Sequence, residues 1–187
     1  MNSLKTGTER SLFPSILAAG VGAELAYLAM VLPGGLSRGA TLGFWAAAFA
    51  CYGLAVYRIS RDGSPGTVRR LILGFAVLFR ITLLFTPPIL SDDVYRYIWD
   101  GRVQLAGINP YLHAPASPEM SGFDESLLDS INHPEVPTIY PPLSQALFLA
   151  VTAVSTSVWM MKLVFTLCEL GVILLVCRLL KILGRPP

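Results

Sequence analysis

The 187-residue sequence predicts an all-α integral membrane protein with about four transmembrane helices and further helices at the outer membrane surface. Three observations support this fold class. Hydrophobic residues make up 53 % of the chain and charged residues 14 %, against roughly 25 % charged residues in soluble domains. Apolar runs of about 20 residues recur, which is the length that a helix needs to cross a bilayer. Lysine and arginine are concentrated between those runs, as in membrane proteins of fixed orientation.

Four apolar runs have the length of a membrane-spanning helix. The first run is too long for the hydrophobic part of a signal peptide, and a second run follows closely, so we interpret it as an uncleaved anchor. The predicted spans are residues of about 12–33, 40–58, 70–88 and 157–179.

The distribution of basic residues predicts the orientation of these spans, because cytoplasmic loops are enriched in Lys and Arg. The amino terminus, the loop after the second span and the carboxyl end each carry several basic residues, whereas the first short loop carries only Arg38. Both ends are therefore expected in the cytoplasm of a multi-pass protein of the cell (inner) membrane. Residues 89–156 are then extracytoplasmic, between a three-helix segment (1–88) and a final helix with its cytoplasmic end (157–187).

The extracytoplasmic segment divides into several short elements. Ser91 is a candidate N-cap for a helix of about 92–106 that ends at Gly107, and a second short helix is predicted at about 123–131. The apolar stretch of about 142–155 is too short to span a bilayer, so we expect it to lie in the outer interface. Counting it as a span would also move the basic carboxyl end outside.

The most polar part of the chain, residues 91–102, follows directly after the third apolar run. Asp92 and Asp93 lie in the first turn of the predicted helix, where the helix dipole favours carboxylates. They are either ordinary first-turn acids or a site in which one acid is a general base that takes a proton from an acceptor hydroxyl.

Helical spacing places Asp92, Arg96 and Asp100 on one face of this helix. The alternating charges form either a solvated salt-bridge ladder or a site in which Arg96 holds a phosphate beside an acid. Tyr97 and its aromatic neighbours fit an interfacial aromatic belt, although sugar rings also stack on such side chains.

Ionisable residues within the apolar runs are expected to face a partner or a cavity. Arg80 and Glu24 lie at similar depth and are interpreted as a structural pair, with a lipid phosphate as the alternative partner of Arg80 and Glu169 as a further carboxylate. Lys162 lies near the outer end of the last span, where its amine can reach the interface. His113 and His133 lack the close spacing of metal ligands, so we expect no metal or other cofactor.

Three sequence blocks together resemble bacterial GT-C fold glycosyltransferases, and among them the polyprenyl-phosphate-mannose-dependent mannosyltransferases. Residues 91–102 (SDDVYRYIWDGR) resemble the first outer loop of these enzymes. Residues 107–111 (GINPY) and 138–143 (TIYPPL) follow in the expected places. The resemblance covers residues of about 70–187.

The resemblance implies a hexosyltransferase that moves a sugar, mannose in the closest group, from a polyprenyl phosphate to an acceptor hydroxyl outside the membrane, usually with inversion. An acid of the first outer loop is then the base, which is Asp93 or Asp92 here, with Asp93 favoured. The implied partners are the lipid-linked donor, a glycan, lipid or protein acceptor, and membrane lipid; nucleic acid is not among them. The candidate substrate-binding side chains are Arg80, Arg96, Tyr97, Asp100 and Tyr140.

Members of this group are longer and contain more spans, so the chain is expected to represent the amino-terminal portion of such an enzyme, with a second polypeptide as one way to complete it. The alternative function is a non-catalytic membrane subunit or remnant that binds polyprenyl phosphates. A transporter fragment is disfavoured, because the polar residues cluster outside the bilayer rather than at its middle.

Overall fold

The computed structural model describes residues 2–32, 36–62, 66–88 and 90–185, with side chains described from Leu12 onward. Within these residues the chain is helical and contains no strand, which confirms the predicted all-α class. The helices form two compact units, Met1–Pro87 and Pro88–Pro187.

The first unit consists of three helices: α1 (Asn2–Val31), α2 (Arg38–Asp62) and α3 (Gly66–Leu84). Helix α1 packs against both α2 and α3. Small residues allow this close approach: a side chain at Gly20 would overlap the ring of Phe75. A cluster of buried alanines lies where α1 meets α2.

Three helical segments are long and apolar enough to cross a membrane: Leu12–Val31, Arg38–Asp62 and Val158–Ile182. They correspond to the first, second and fourth predicted spans. The third predicted span is not confirmed, because α3 has 19 residues that include Arg69, Arg70 and Arg80. Arg69 and Arg70 lie near the beginning of α3, whereas Arg80 lies within its apolar part, where an arginine is costly in a bilayer.

The second unit begins with α4 (Asp93–Leu105), which ends as predicted. Gly107 adopts a positive φ of 78°, and the amides of Gly107 and Ile108 donate to the carbonyls of Gln104 and Val103. This pair of bonds is the Schellman motif that closes helices at glycine. At the other end, the N-cap position is occupied by Asp92 rather than the predicted Ser91. Ser91 still contributes, because its hydroxyl accepts from the Asp93 amide at 3.3 Å.

The remaining helices of this unit are a 3₁₀ turn (Pro118–Met120), α5 (Glu125–Leu128), α6 (Pro142–Thr152) and α7 (Val158–Ile182). The predicted helix at 123–131 is reduced to α5 with flanking turns. Helix α6 has 11 residues, a length of about 16 Å that is too short to cross a bilayer. Ser157 caps α7 by accepting from the Met160 amide at 3.2 Å.

Helix α4 is the centre of the second unit and packs against α5, α6 and α7. One side of α4 contributes Ile98 to a cluster with Phe148 and Met161. The other side contributes Trp99 to a separate cluster with Met120 and Ile131. Because α4 is held on both sides, its polar residues occupy fixed positions relative to the loop that precedes α6.

Candidate active site

Asp92, Arg96 and Asp100 lie along one face at the amino-terminal part of α4, and we call them the polar stripe. The loop of residues 131–140 covers this stripe. Arg96 and Asp100 are 5 % and 0 % exposed, and Arg96 Nε donates to Asp100 Oδ1 at 2.9 Å. Thr138 Oγ1 and Gln145 Nε2 donate to Asp100 Oδ2 at 2.5 and 2.7 Å. Both oxygens of this buried carboxylate are therefore satisfied by protein groups, as a buried charge requires.

Arg96 also attaches the loop to α4, because its Nη2 atom donates to the Val136 carbonyl at 2.9 Å. A solvated ladder, one of the two interpretations from the sequence, is therefore wrong for Arg96 and Asp100. The substrate-binding role of these two side chains stays a prediction. Their contacts hold the loop against the helix.

Asp92 and Asp93 lie at the beginning of the same stripe and are partly exposed. Both carboxylates accept from one group: Asn132 Nδ2 lies 2.7 Å from Asp92 Oδ1 and 2.9 Å from Asp93 Oδ1. The two acids are therefore held side by side at the amino-terminal end of α4. Their partial exposure leaves them within reach of a substrate.

Tyr97 and Tyr140 form the aromatic part of the site. Their ring centroids are 5.0 Å apart, nearly perpendicular, and Tyr97 stacks on Phe148 at 4.6 Å. Burial raises the pKa of Tyr97 and of Tyr140, and the negative charge of Asp93 adds to the rise in each pKa. Asp93 and Tyr97 are four residues apart in α4, so they share one face of the helix, and Tyr140 packs against Tyr97.

Tyr140 is itself held by the outer loop. The Tyr111 hydroxyl donates to the Tyr140 carbonyl at 2.6 Å, and the Tyr140 amide donates to Thr138 Oγ1 at 3.4 Å. The sequence blocks 107–111 and 138–143 therefore meet in the structure, and the Thr138 amide also donates to the Pro110 carbonyl at 3.2 Å.

This arrangement combines a proton acceptor with hydrogen-bond donors. A partly exposed carboxylate can accept a proton from a hydroxyl, and neutral phenols can donate to oxygen atoms of a sugar or a phosphate. Among the residues that the structure describes, no three His, Cys, Asp or Glu side chains are close enough to hold a metal ion.

Arg80 and Glu24 belong to the first unit. Glu24 Oε1 accepts from Thr82 Oγ1 at 2.5 Å, and Arg80 Nη1 donates to the Ala76 carbonyl at 2.8 Å. The proposed Arg80–Glu24 pair stays a prediction, as does a phosphate-binding role of Arg80.

Three side chains of the site were not identified from the sequence: Asn132, Thr138 and Gln145. Thr138 opens the block 138–143, so that block was a signal without an assigned role. Asn132 lies in an irregular segment, and Gln145 lies in an apolar helix. Their importance follows from contacts across about 40 residues of sequence, which no local pattern encodes.

Comparison with protein families gives one match. The family model of alpha-(1->6)-mannopyranosyltransferases, N-terminal domain, matches residues 11–186. No curated protein and no solved structure matches the chain.

Proposed function

Because the chain belongs to the alpha-(1->6)-mannopyranosyltransferase family, whose N-terminal domain it matches over residues 11–186, we propose that it transfers mannose from a polyprenyl phosphate to an acceptor hydroxyl. The observation that carries this proposal is the Asp92–Asp93 pair, partly exposed and held side by side at the beginning of α4, the helix that also carries Tyr97. The membrane character of the chain supports a lipid-linked donor, since nucleotide sugars are not available outside the cell membrane.

Asp93 is the proposed general base. The acceptor hydroxyl gives its proton to the Asp93 carboxylate while its oxygen forms a bond to C1 of the mannosyl group. The bond between C1 and the phosphate oxygen breaks, and the electron pair leaves with the polyprenyl phosphate. General-base catalysis of this kind contributes about 10²–10⁴-fold to a rate. Asp93 is preferred to Asp92 because Asp93 lies inside α4, four residues before Tyr97 and on the same helical face.

A single displacement inverts the configuration at C1. If the product linkage is alpha, as the family description states, an inverting reaction requires a beta-linked mannosyl phosphate as donor. The anomeric form of the donor is therefore a direct test of the single-displacement mechanism.

The other predicted site residues fall into two groups. Tyr97 and Tyr140 are proposed to donate hydrogen bonds to the substrate, and Arg80 is proposed to contact the donor phosphate. For Arg96 and Asp100, which are buried and bonded to each other, the contacts support a role in holding the loop of residues 131–140.

The proposed arrangement in the membrane follows from the basic residues. The amino terminus is cytoplasmic, residues 89–156 are extracytoplasmic, and α6 lies in the outer interface, where a polyprenyl chain can dock.

The test is sugar transfer in membranes that contain the chain, with radiolabelled polyprenyl-phosphate mannose as donor. The assay is run with and without the product of the neighbouring open reading frame. Asp93→Asn and Asp92→Asn are compared with Asp129→Asn, which makes the same change at an exposed acid of the same outer segment.

Asp93→Asn is expected to lower transfer by about 10²–10⁴-fold, while Asp129→Asn retains the wild-type rate. If both Asp92→Asn and Asp93→Asn leave transfer intact, the proposed base is wrong. If no transfer occurs under any condition, the protein is instead a non-catalytic subunit that binds polyprenyl phosphates.

A further inference from the structure

Asn132 is the group that joins Asp92 to Asp93, and no motif in the sequence points to it. We infer that Asn132 is a positioning residue that holds the two carboxylates side by side so that Asp93 faces the acceptor hydroxyl. This inference rests on the proposed mannosyl transfer, and it adds to that function a residue about 40 positions away in sequence from the acids.

The geometry allows only one orientation of the Asn132 amide. Ionised carboxylates can only accept hydrogen bonds, whereas the amide nitrogen carries two N–H donors. With Nδ2 at 2.7 and 2.9 Å from the two Oδ1 atoms, each carboxylate receives one of these donors. We call these two hydrogen bonds from Asn132 the clamp. The Oδ2 atoms of the two acids take no part in it, so Asp93 keeps an oxygen that can accept a proton.

The clamp also offsets a repulsion. Two negative charges on adjacent residues repel each other, and the repulsion is greater for side chains held side by side than for side chains turned apart. The positive end of the amide dipole lies between the two carboxylates and favours the conformation in which both face the loop. Without it, each side chain would be expected to rotate away from the other toward solvent.

The position of Asn132 is fixed by its neighbours on both sides. Ile131 is buried in the cluster around Trp99, and its amide donates to the Leu128 carbonyl at 3.1 Å. On the other side, Val136 accepts from Arg96. Both anchors connect to α4, the helix that carries the two acids, so the amide and the carboxylates belong to one framework.

The backbone beside Asn132 is strained. His133 has a φ of 50°, a left-handed conformation that is unfavourable for a residue other than glycine. The strain persists because the anchors on either side determine the path of the chain. The turn at His133 directs the chain from Asn132 toward Val136, so both can contact α4.

A residue that only positions the base should affect turnover more than substrate binding. A displacement of about 1 Å in a reacting group costs up to about 10²-fold in rate. Asn132→Ala is therefore expected to lower kcat by about 10–100-fold, with KM changed by less than about twofold. Asn132→Asp, which keeps the shape but adds a third negative charge, is expected to lower kcat further.

The decisive experiment is a double-mutant cycle with Asp93. If Asn132 acts through Asp93, then Asn132→Ala lowers the rate of wild-type enzyme but has little effect on the residual rate of Asp93→Asn, because residues that act as a unit are not additive. Ser130→Ala removes a polar side chain two residues away and is expected to leave transfer unchanged. Full additivity in the cycle, or wild-type kcat in Asn132→Ala, would overturn the inference.

Heat unfolding in detergent tests the same contact without relying on turnover. Asn132→Asp should lower the unfolding temperature more than Asn132→Ala, and Asp93→Asn should relieve part of that loss. If the wild type transfers no mannose, the proposed function fails, and this coupling still decides whether the clamp exists. Transfer that is lost with a chelator and restored by Mg²⁺ or Mn²⁺ would show that Asn132 and the acids bind a cation instead, which overturns the clamp.

Discussion

The buried ion pair of Arg96 and Asp100 allows a quantitative test of how the outer loop is held. Asp100→Ala removes a carboxylate that is 0 % exposed and that receives bonds from Arg96, Thr138 and Gln145. The change leaves the Arg96 guanidinium buried without its counter-ion. Because Arg96 also donates to the Val136 carbonyl, the loop of residues 131–140 is expected to loosen.

The expected loss follows from the contacts. Breaking a buried ion pair by removing one partner costs about 3–5 kcal/mol, mainly because the other charge stays uncompensated. For a unit of the size of Pro88–Pro187, that loss corresponds to a fall of at least about 10 °C in the unfolding temperature. Arg96→Met leaves the opposite charge uncompensated and is expected to cost a similar amount.

The assay is unfolding of the detergent-solubilised protein, followed by tryptophan fluorescence, since Trp99 lies in the adjoining core. The double variant Arg96→Met/Asp100→Leu removes both charges and replaces them with apolar side chains of similar size. It should be more stable than the sum of the single changes Arg96→Met and Asp100→Leu predicts, because a buried pair replaced by apolar groups is often neutral.

Two results would refute this reasoning. The first is an Asp100→Ala variant that unfolds within a few degrees of the wild type, which would mean that the carboxylate is not buried as described. The second is strict additivity of the two single changes. Loss of transfer with unchanged stability would instead support direct contact of Asp100 with the substrate.

Three further predictions concern glycines and phenols. Gly101→Ala is expected to lower the free energy of unfolding by about 1–3 kcal/mol, because the new Cβ would lie 2.6 Å from the Phe148 carbonyl oxygen. Heat unfolding should show a lower unfolding temperature. An unfolding temperature equal to that of the wild type would contradict the close packing of α4 on α6. A Cβ added at Gly107 would meet no neighbouring atom, but Gly107 has a φ of 78°. Gly107→Ala should therefore lower the free energy of unfolding by only about 1–2 kcal/mol. A larger loss of stability in Gly107→Ala than in Gly101→Ala would contradict this reasoning. Folding raises the pKa of Tyr97 and Tyr140 above 10, so their contribution to stability is present below pH 10 and is lost as the pH rises through the folded-state pKa. Alkaline titration of tyrosinate absorbance should show late ionisation that shrinks in Tyr140→Phe, whereas simultaneous ionisation of all tyrosines near pH 10 would contradict the buried pair.

Local sequence signals predicted most of α4 correctly. The glycine at 107 terminates the helix through backbone bonds to residues a few positions away, so a short stretch of sequence contains all the necessary information. The N-cap was predicted one residue too early because Ser91 and Asp92 are both good capping residues. The same locality explains why the short apolar helix α6 was recognised as too short to span.

The third predicted span is not confirmed by the helix that the structure shows in this region. Residues 70–88 are apolar enough to suggest a span, but the structure begins the helix at Gly66 and ends it at Leu84. The helix therefore includes Arg69 and Arg70, and it excludes the apolar residues that follow. Apolar content indicated a candidate span, while the helix boundaries determined how many charges that helix contains.

The sequence by itself determined the all-α class and the position of Asp92 and Asp93 at the beginning of a helix, and it predicted the membrane character, because apolar run length, helical spacing and the block 91–102 are local properties. Only the tertiary structure decided which polar residues of α4 are available for chemistry. Asp92 and Asp100 lie on one helical face, yet Asp92 is partly exposed and Asp100 is buried. The difference arises because a loop about 40 residues away covers one end of the stripe more fully than the other. Spacing along a helix defines a face, but burial depends on what packs against it.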